Sequence, residues 1–219
     1  MSNNIKKILL LTNLVLIFND NITFYSFKKK IFLFAVNINT IDENYLLNEY
    51  YFTHITNKKN RKSAISWDYK YFLIHYFKNK IFPKAQSSSI LNLLLEEITT
   101  ISLNKEIFLN KELSFIIKDL SFVNDVNLLN SRNCHMWTYL RKIYNETNDI
   151  EKTLILLYAF NTLKKCSFDY SSFSFIVNSR ENLPLNKEKI KSLIENIKKS
   201  KIIKYENHKC YIDDLEKYY

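Results

Sequence analysis

The chain has 219 residues with no glycine, two prolines and three cysteines, and its 32 Lys and Arg against 22 Asp and Glu leave a formal charge of +10. The missing glycine excludes a P-loop, a Rossmann fingerprint and glycine-capped helix ends, while the wide spacing of Cys134, Cys166 and Cys210 gives neither an even disulfide framework nor a CxxC metal pair. What is left, much Leu, Ile, Lys, Glu and Asn with few breakers, reads as helices joined by Asn, Asp and Ser turns in a reducing, cytoplasmic protein.

In chain order, the apolar stretch Ile8 to Phe18 follows Lys6 and Lys7 as a signal peptide would. Asn13 interrupts it, Asn19, Asp20 and Asn21 follow it, and no small-residue cleavage site appears, so it reads as the first helix, Asn4 to Phe18, too short to span a bilayer. A second helix starts near Thr23, with Phe24, Phe27, Ile31 and Phe34 at helical spacing as its expected buried stripe. The lysines at 28 to 30, like those at 198 to 201, form short runs best explained as solvated helix faces.

The next helices are predicted over Asp42 to Ile55 and from Ser63. Residues 79–110 carry Pro83 and the run Ser87, Ser88, Ser89 before a helical pattern at Ile90 to Ile101, and read as an insertion or a degenerate repeat. Pairs then resume: Lys111 to Leu129 with a partner from Asn133, Ile150 to Lys165 with one from Ser171, and Lys187 to Lys199 with one from His208. Each second helix opens on an aromatic, Tyr25, Trp67, Trp137, Phe173 and Tyr211, at intervals of 42, 70, 36 and 38 residues. A period near 35 to 40 with one doubled interval marks stacked α-hairpins, whose stripes must be buried against neighbouring hairpins. The predicted fold is a single domain over 1–219, with repeats near 4–37, 42–78, 111–148, 150–183 and 187–219. The repeated aromatics are expected in the core.

Four segments carry a further signal: SRNCHMWTYLRKI (131–143), FDYSSFSFIVNSRENLP (168–184), RKSAISWDYKYFL (61–73) and NDNITFYSFKKKIFL (19–33). They resemble the repeats of the protein prenyltransferase alpha-subunit family. The Ser-Arg-Asn before the Trp-x-Tyr opening and the Tyr-Ser-Ser before Phe173 are most similar to the Rab geranylgeranyltransferase type. The alpha subunit shared by farnesyltransferase and geranylgeranyltransferase type I is the alternative. The resemblance implies a right-handed, TPR-like superhelix, a crescent of antiparallel hairpins around a barrel-shaped beta subunit. That partner would hold the zinc and the isoprenoid, leaving no metal or cofactor in this chain.

By position, the resemblance assigns Lys62 and His135 to the catalytic machinery and Arg132 and Asn133 to substrate binding. Lys62 would reach the diphosphate from just before a helix opening, where free backbone N–H groups already favour an anion. Donors aimed at charge growing on the departing diphosphate lower the barrier. Where the family has an aromatic two residues after that lysine, this chain has Ala64. The basic positions after the aromatic openers, Lys70 and Arg141, are expected to link repeats. The implied partners are the beta subunit, a Rab-type small GTPase with or without an escort protein, and an isoprenoid diphosphate, with no nucleic acid and no transmembrane segment. Residue chemistry alone leaves nearer explanations in view: an ordinary surface Lys62, a helix-capping Asn133 and a core His135. It also leaves two rivals, a non-catalytic helical-repeat scaffold and an RNA-binding helical repeat. The second of these requires exposed aromatics interleaved with basic residues.

Overall fold

A computed structural model describes residues 2–81, 115–129, 133–166, 169–180, 185, 187–199, 211–215 and 217–219. Among them all regular structure is helical. The chain divides into two compact units, Met1–Lys84 and Ala85–Tyr219.

The first unit holds α1 (Ser2–Phe18), α2 (Ile22–Asn37), α3 (Glu43–Lys59) and α4 (Ala64–Ile81). Helices α1 and α2 form one hairpin and α3 and α4 a second, and the two stack with α1 on α3 and α2 on α4. In the second unit, α5 (Phe115–Leu129), α6 (Cys134–Glu146), α7 (Asp149–Lys165) and α8 (Tyr170–Asn178) precede α9 (Lys187–Lys199) and α10 (Tyr211–Leu215). Helix α7 packs on α5, α6 and α8, while α10 packs on α8 and α9. The helix bounds agree with those read from the sequence to within a few residues. Its expectations for 82–114 and for a helix start at His208 lie outside the described residues, as does Arg132.

Side-chain caps start these helices. Asn21, Asp42, Asn133, Asn148 and Asp169 are N-caps that accept from backbone N–H groups two or three residues on, and Ser63 does the same for Ser66 at 3.0 Å. With no glycine available, α2 ends in a Schellman turn around Asn39, whose φ of 52° lies in the left-handed region. There the Thr40 and Asn39 amides donate to the Ala35 and Val36 carbonyls, at 3.0 Å each.

Four helices share one frame counted from the cap. In α2, α4, α6 and α8 the residue four after the cap is Tyr25, Trp67, Trp137 or Phe173, and its amide donates to the carbonyl of the cap residue itself. The first three of these rings are buried and Phe173 is half-buried, stacked on Tyr211 with centroids 4.8 Å apart. Seven after the cap stand Lys28, Lys70, Leu140 and Ile176, each fully buried. Within each unit such rings join one hairpin to the next, Tyr25 meeting Tyr69 of α4 and Trp137 meeting Phe175 of α8 with centroids 5.4 Å apart in both cases.

Two expectations for α2 are overturned by that frame. Its buried residues are Tyr25, Lys28, Phe32 and Ala35. Phe24, Phe27 and Phe34 are exposed instead, because both sets have helical spacing and the packed flank is the one that carries the cap-plus-four aromatic. Lys28 also leaves the solvated run expected of residues 28 to 30. It is fully buried, Lys29 pairs with Asp68 of α4 at 2.6 Å, and only Lys30 is exposed.

Lys28 is the centre of a polar node to which all four helices of the first unit contribute. Its ammonium donates to Asn13 of α1 and to Glu49 of α3. Glu49 also accepts from Tyr69 of α4 at 3.0 Å and from the Asn13 amide at 3.3 Å. The ammonium lies 4.0 Å from the Phe52 ring centroid and 4.9 Å from that of Tyr69. Burial lowers the Lys28 pKa from 10.5 to about 8 against the opposing pull of Glu49, and burial, then Glu49, raises that of Tyr69.

These shifts fix how stability changes with pH. Between about 8 and 10.5 the unfolded chain holds a proton on Lys28 that the folded chain does not, so stability rises with pH in that window. Above 10 the unfolded tyrosines ionise before Tyr69 does, a contribution that lowers stability and opposes that of Lys28. On the acid side, burial and then Lys70 and Lys58 hold His54 neutral down to about 2. The unfolded chain takes up a proton below 6.5 that folded His54 does not, so stability declines as the pH falls from 6.5. Lys28→Met, which leaves Glu49 buried without its cation, is expected to cost about 3 kcal/mol in urea unfolding. The double change Lys28→Met/Glu49→Met should recover most of that loss and abolish the rise between pH 8 and 10. A single variant as stable as the wild type rules out the node as a structural centre.

Candidate functional site

Lys62, Asn133 and His135 all belong to helix openings. Lys62 lies in the turn between α3 and α4, one residue before Ser63, with its side chain in solvent. That turn is held from inside: the Trp67 indole N–H donates to the Arg61 carbonyl at 2.9 Å, and the Arg61 Nε–H donates to the Lys58 carbonyl at 3.0 Å. The core aromatic of α4 thereby fixes the backbone that presents Lys62. The sequence marked Trp67 as core but gave no sign of this bond, since a buried indole seeks some acceptor without saying which.

The opening of α6 carries Asn133 and His135. Asn133 is fully buried and its side-chain oxygen accepts from the Met136 amide at 3.2 Å, which gives it a capping duty whatever else it does. His135 is half-buried in the first turn, beside the exposed Cys134. Behind them the Trp137 ring packs against Phe175 and Tyr158, with centroids 5.4 and 5.8 Å away. Asn133 and His135 thus stand together in the second unit, while Lys62 opens a helix of the first.

The two openings are built on one plan. Ser63 and Asn133, Trp67 and Trp137, and Tyr69 and Tyr139 each stand 70 residues apart, as do Glu49 and Asp119. The Tyr139 hydroxyl donates to Asp119 of α5 at 2.5 Å, matching the bond from Tyr69 to Glu49. The sequence supplied the 70-residue interval between the tryptophans, but not the acid–tyrosine bond that repeats with it. That bond links residues 20 apart on two different helices, which no local pattern reveals.

Of the basic positions after the aromatics, Lys28 and Arg141 link one repeat to the next, whereas the ring contact of Lys70 lies within the α3–α4 hairpin and not, as expected of it, between repeats. Lys28 joins α2 to α3 through Glu49. The Lys70 ammonium lies 4.0 Å from the Tyr50 ring centroid, on α3. Arg141 donates to the Ser174 carbonyl of α8 at 3.4 Å. No group of three or more His, Cys, Asp or Glu among the described residues is placed to hold a metal ion.

Compared with protein-family models, with curated proteins and with solved structures, the chain finds no match in any of the three.

Replacing Asn133 separates capping from any other role. Asn133→Ala should lower unfolding stability by about 1 kcal/mol, whereas Asn133→Ser, which restores an acceptor at the cap, should stay within a few tenths of the wild type. Equal stability of the alanine variant and the wild type argues that the cap bond contributes nothing.

Proposed function

We propose that this chain is the alpha subunit of a heterodimeric protein prenyltransferase of the Rab geranylgeranyltransferase kind. In this reading its hairpins form a cytoplasmic crescent around a beta subunit that holds the zinc and the isoprenoid. The observation that carries the reading is the frame shared by α2, α4, α6 and α8: a capping residue, then a large aromatic four positions on, then a fully buried residue at seven. In α6 that frame is occupied by Asn133, Trp137 and Leu140, with His135 between cap and aromatic, the order that the family resemblance requires.

The chemistry follows from position. Transfer of a geranylgeranyl group to a cysteine thiolate releases diphosphate, and cations and N–H donors at helix openings stabilise that leaving group as its charge develops. Lys62, in solvent on a turn pinned by Trp67, is free to meet an anion lodged in a partner. His135 and Asn133, with Arg132 before them, would border the protein substrate, the C-terminal cysteine segment of a Rab-type GTPase, delivered with or without an escort protein.

A non-catalytic hairpin scaffold is the second reading. It is favoured by the cap bond of Asn133, which accounts for that residue without any substrate. Exposure of Lys62 is equally what an ordinary surface lysine shows.

Co-expression with a cognate barrel-type beta subunit, followed by transfer from labelled geranylgeranyl diphosphate to a GTPase carrying a C-terminal cysteine, separates the two. Lys62→Ala should leave the heterodimer intact and slow transfer about tenfold or more, the worth of one charge-assisted hydrogen bond. Transfer from farnesyl diphosphate instead would identify the shared alpha subunit. A purified chain that binds no beta subunit, or a Lys62→Ala heterodimer with wild-type rate, overturns the catalytic reading.

A further inference from the structure

The first hairpin combines a buried cation with an exposed apolar ridge. Its interior holds Lys28 and Asn13 against Glu49, while Leu10, Leu11, Leu14 and Phe18 of α1 project into solvent with 58, 61, 49 and 81% of their surface exposed. The core side of α1 is formed by Ile5, Leu9, Thr12 and Leu16. At 100° per residue the exposed residues fall on the opposite side of the helix, so they form a ridge pointing away from the bundle. A contiguous apolar ridge of this kind marks an interaction surface.

Charge says what covers it. Residues 1–84 carry thirteen Lys and Arg against five Asp and Glu, a surplus of eight within a chain whose total is +10. Lys7, exposed, continues the ridge one turn before Leu10 and Leu11, and the Lys59 ammonium lies 4.7 Å from the Phe18 ring centroid at the other end. Lys6 is already engaged with Asp42 at 3.4 Å and is not counted. Aliphatic side chains between two lysines match the acyl and headgroup layers of an anionic bilayer, where apolar groups enter and lysines reach the phosphates.

We infer that α1 docks this chain on an anionic membrane surface, with the Leu10 to Phe18 ridge in the interface and Lys7 and Lys59 at the headgroups. The chain lies on the bilayer and does not cross it, as no described helix is long and apolar enough to span one. A second copy fits less well, because two surfaces with the same positive surplus repel. Single-stranded RNA fits less well too, since three of the four ridge residues are leucines and only Phe18 among them offers a ring on which a base can stack. The inference does not depend on prenyl transfer.

Flotation of the full chain with phosphatidylcholine vesicles, with and without about one-third phosphatidylserine, tests it. At low salt the protein should float with the anionic vesicles at least tenfold more than with the neutral ones, and about 0.5 M NaCl should release most of it. Lys7→Glu/Lys59→Glu should weaken binding more than tenfold, at about fivefold for each lysine removed from the surface. Leu11→Ser/Phe18→Ser should do so by a similar factor. Both pairs alter exposed side chains, so helix content and the melting temperature should stay at wild-type values, which separates lost docking from lost folding. The idea is overturned if the wild type does not float, or if both double variants float like the wild type. It is also overturned if the serine pair converts a vesicle-indifferent dimer into a monomer by light scattering, or if the chain is retained by single-stranded RNA and not by vesicles.

Discussion

The carboxylate of Glu49 collects the first unit around itself. It accepts from Lys28 of α2, from Tyr69 of α4 and from the amide of Asn13 on α1, while its own backbone belongs to α3. A buried ion pair contributes little net stability when compared with an apolar pair of the same shape. What it does impose is register: sliding α2 along α3 by one turn leaves an ammonium and a carboxylate buried apart, which is several kcal/mol worse than the observed pairing. Hairpin stacking by apolar stripes alone tolerates such slips, since one leucine replaces another. The node removes that tolerance.

The second unit reaches a similar geometry with less charge. Asp119 and Tyr139 reproduce the acid–tyrosine bond, but the inner positions seven after the caps are Leu140 and Ile176 in place of lysines. The shared element is therefore the cap-and-aromatic frame together with the acid–tyrosine bond, and among the described residues the buried cations, Lys28 and Lys70, belong to the first unit. Fixing the cap residue and the ring four positions on determines both where the helix starts and which flank faces inward. That is sufficient to orient each opening, including the two that carry Lys62 and His135.

Helix pairs, their starts and the buried tryptophans were legible because caps, breakers and large aromatics act locally. The face of α2 was not. Phe24, Phe27, Ile31 and Phe34 satisfy helical periodicity as well as Tyr25, Lys28, Phe32 and Ala35 do, and hydrophobicity favours the wrong set. The cap-plus-four ring of Tyr25 and the partner carboxylate of Lys28, 21 residues away on another helix, make the second set the buried one, and neither is a matter of periodicity. For the same reason a run of three lysines reads as a solvated face, although its first member is sealed in the core. Among the site residues, the capping role of Asn133 was readable from its residue type. The hold of Trp67 on the Arg61 carbonyl was not, because an indole N–H six residues from its acceptor has no sequence signature.

The buried cation and the exposed ridge of the first hairpin connect these points. Water alone selects a hairpin with leucines inside and lysines outside, yet here Lys28 and Glu49 are inside and the α1 ridge is outside. Such an arrangement is reasonable when both faces have counterparts: the inner one is satisfied by Glu49, Asn13 and the rings of Phe52 and Tyr69. The outer face then requires a counterpart as well, apolar where the leucines stand and negative at the two lysines that end the ridge. A water-facing life for Phe18 and Leu11 leaves both unsatisfied, whereas an anionic interface meets them together. The placement of charge in this unit thus follows one rule on both sides, Lys28 being set against Glu49 within and Lys7 and Lys59 against the headgroups without.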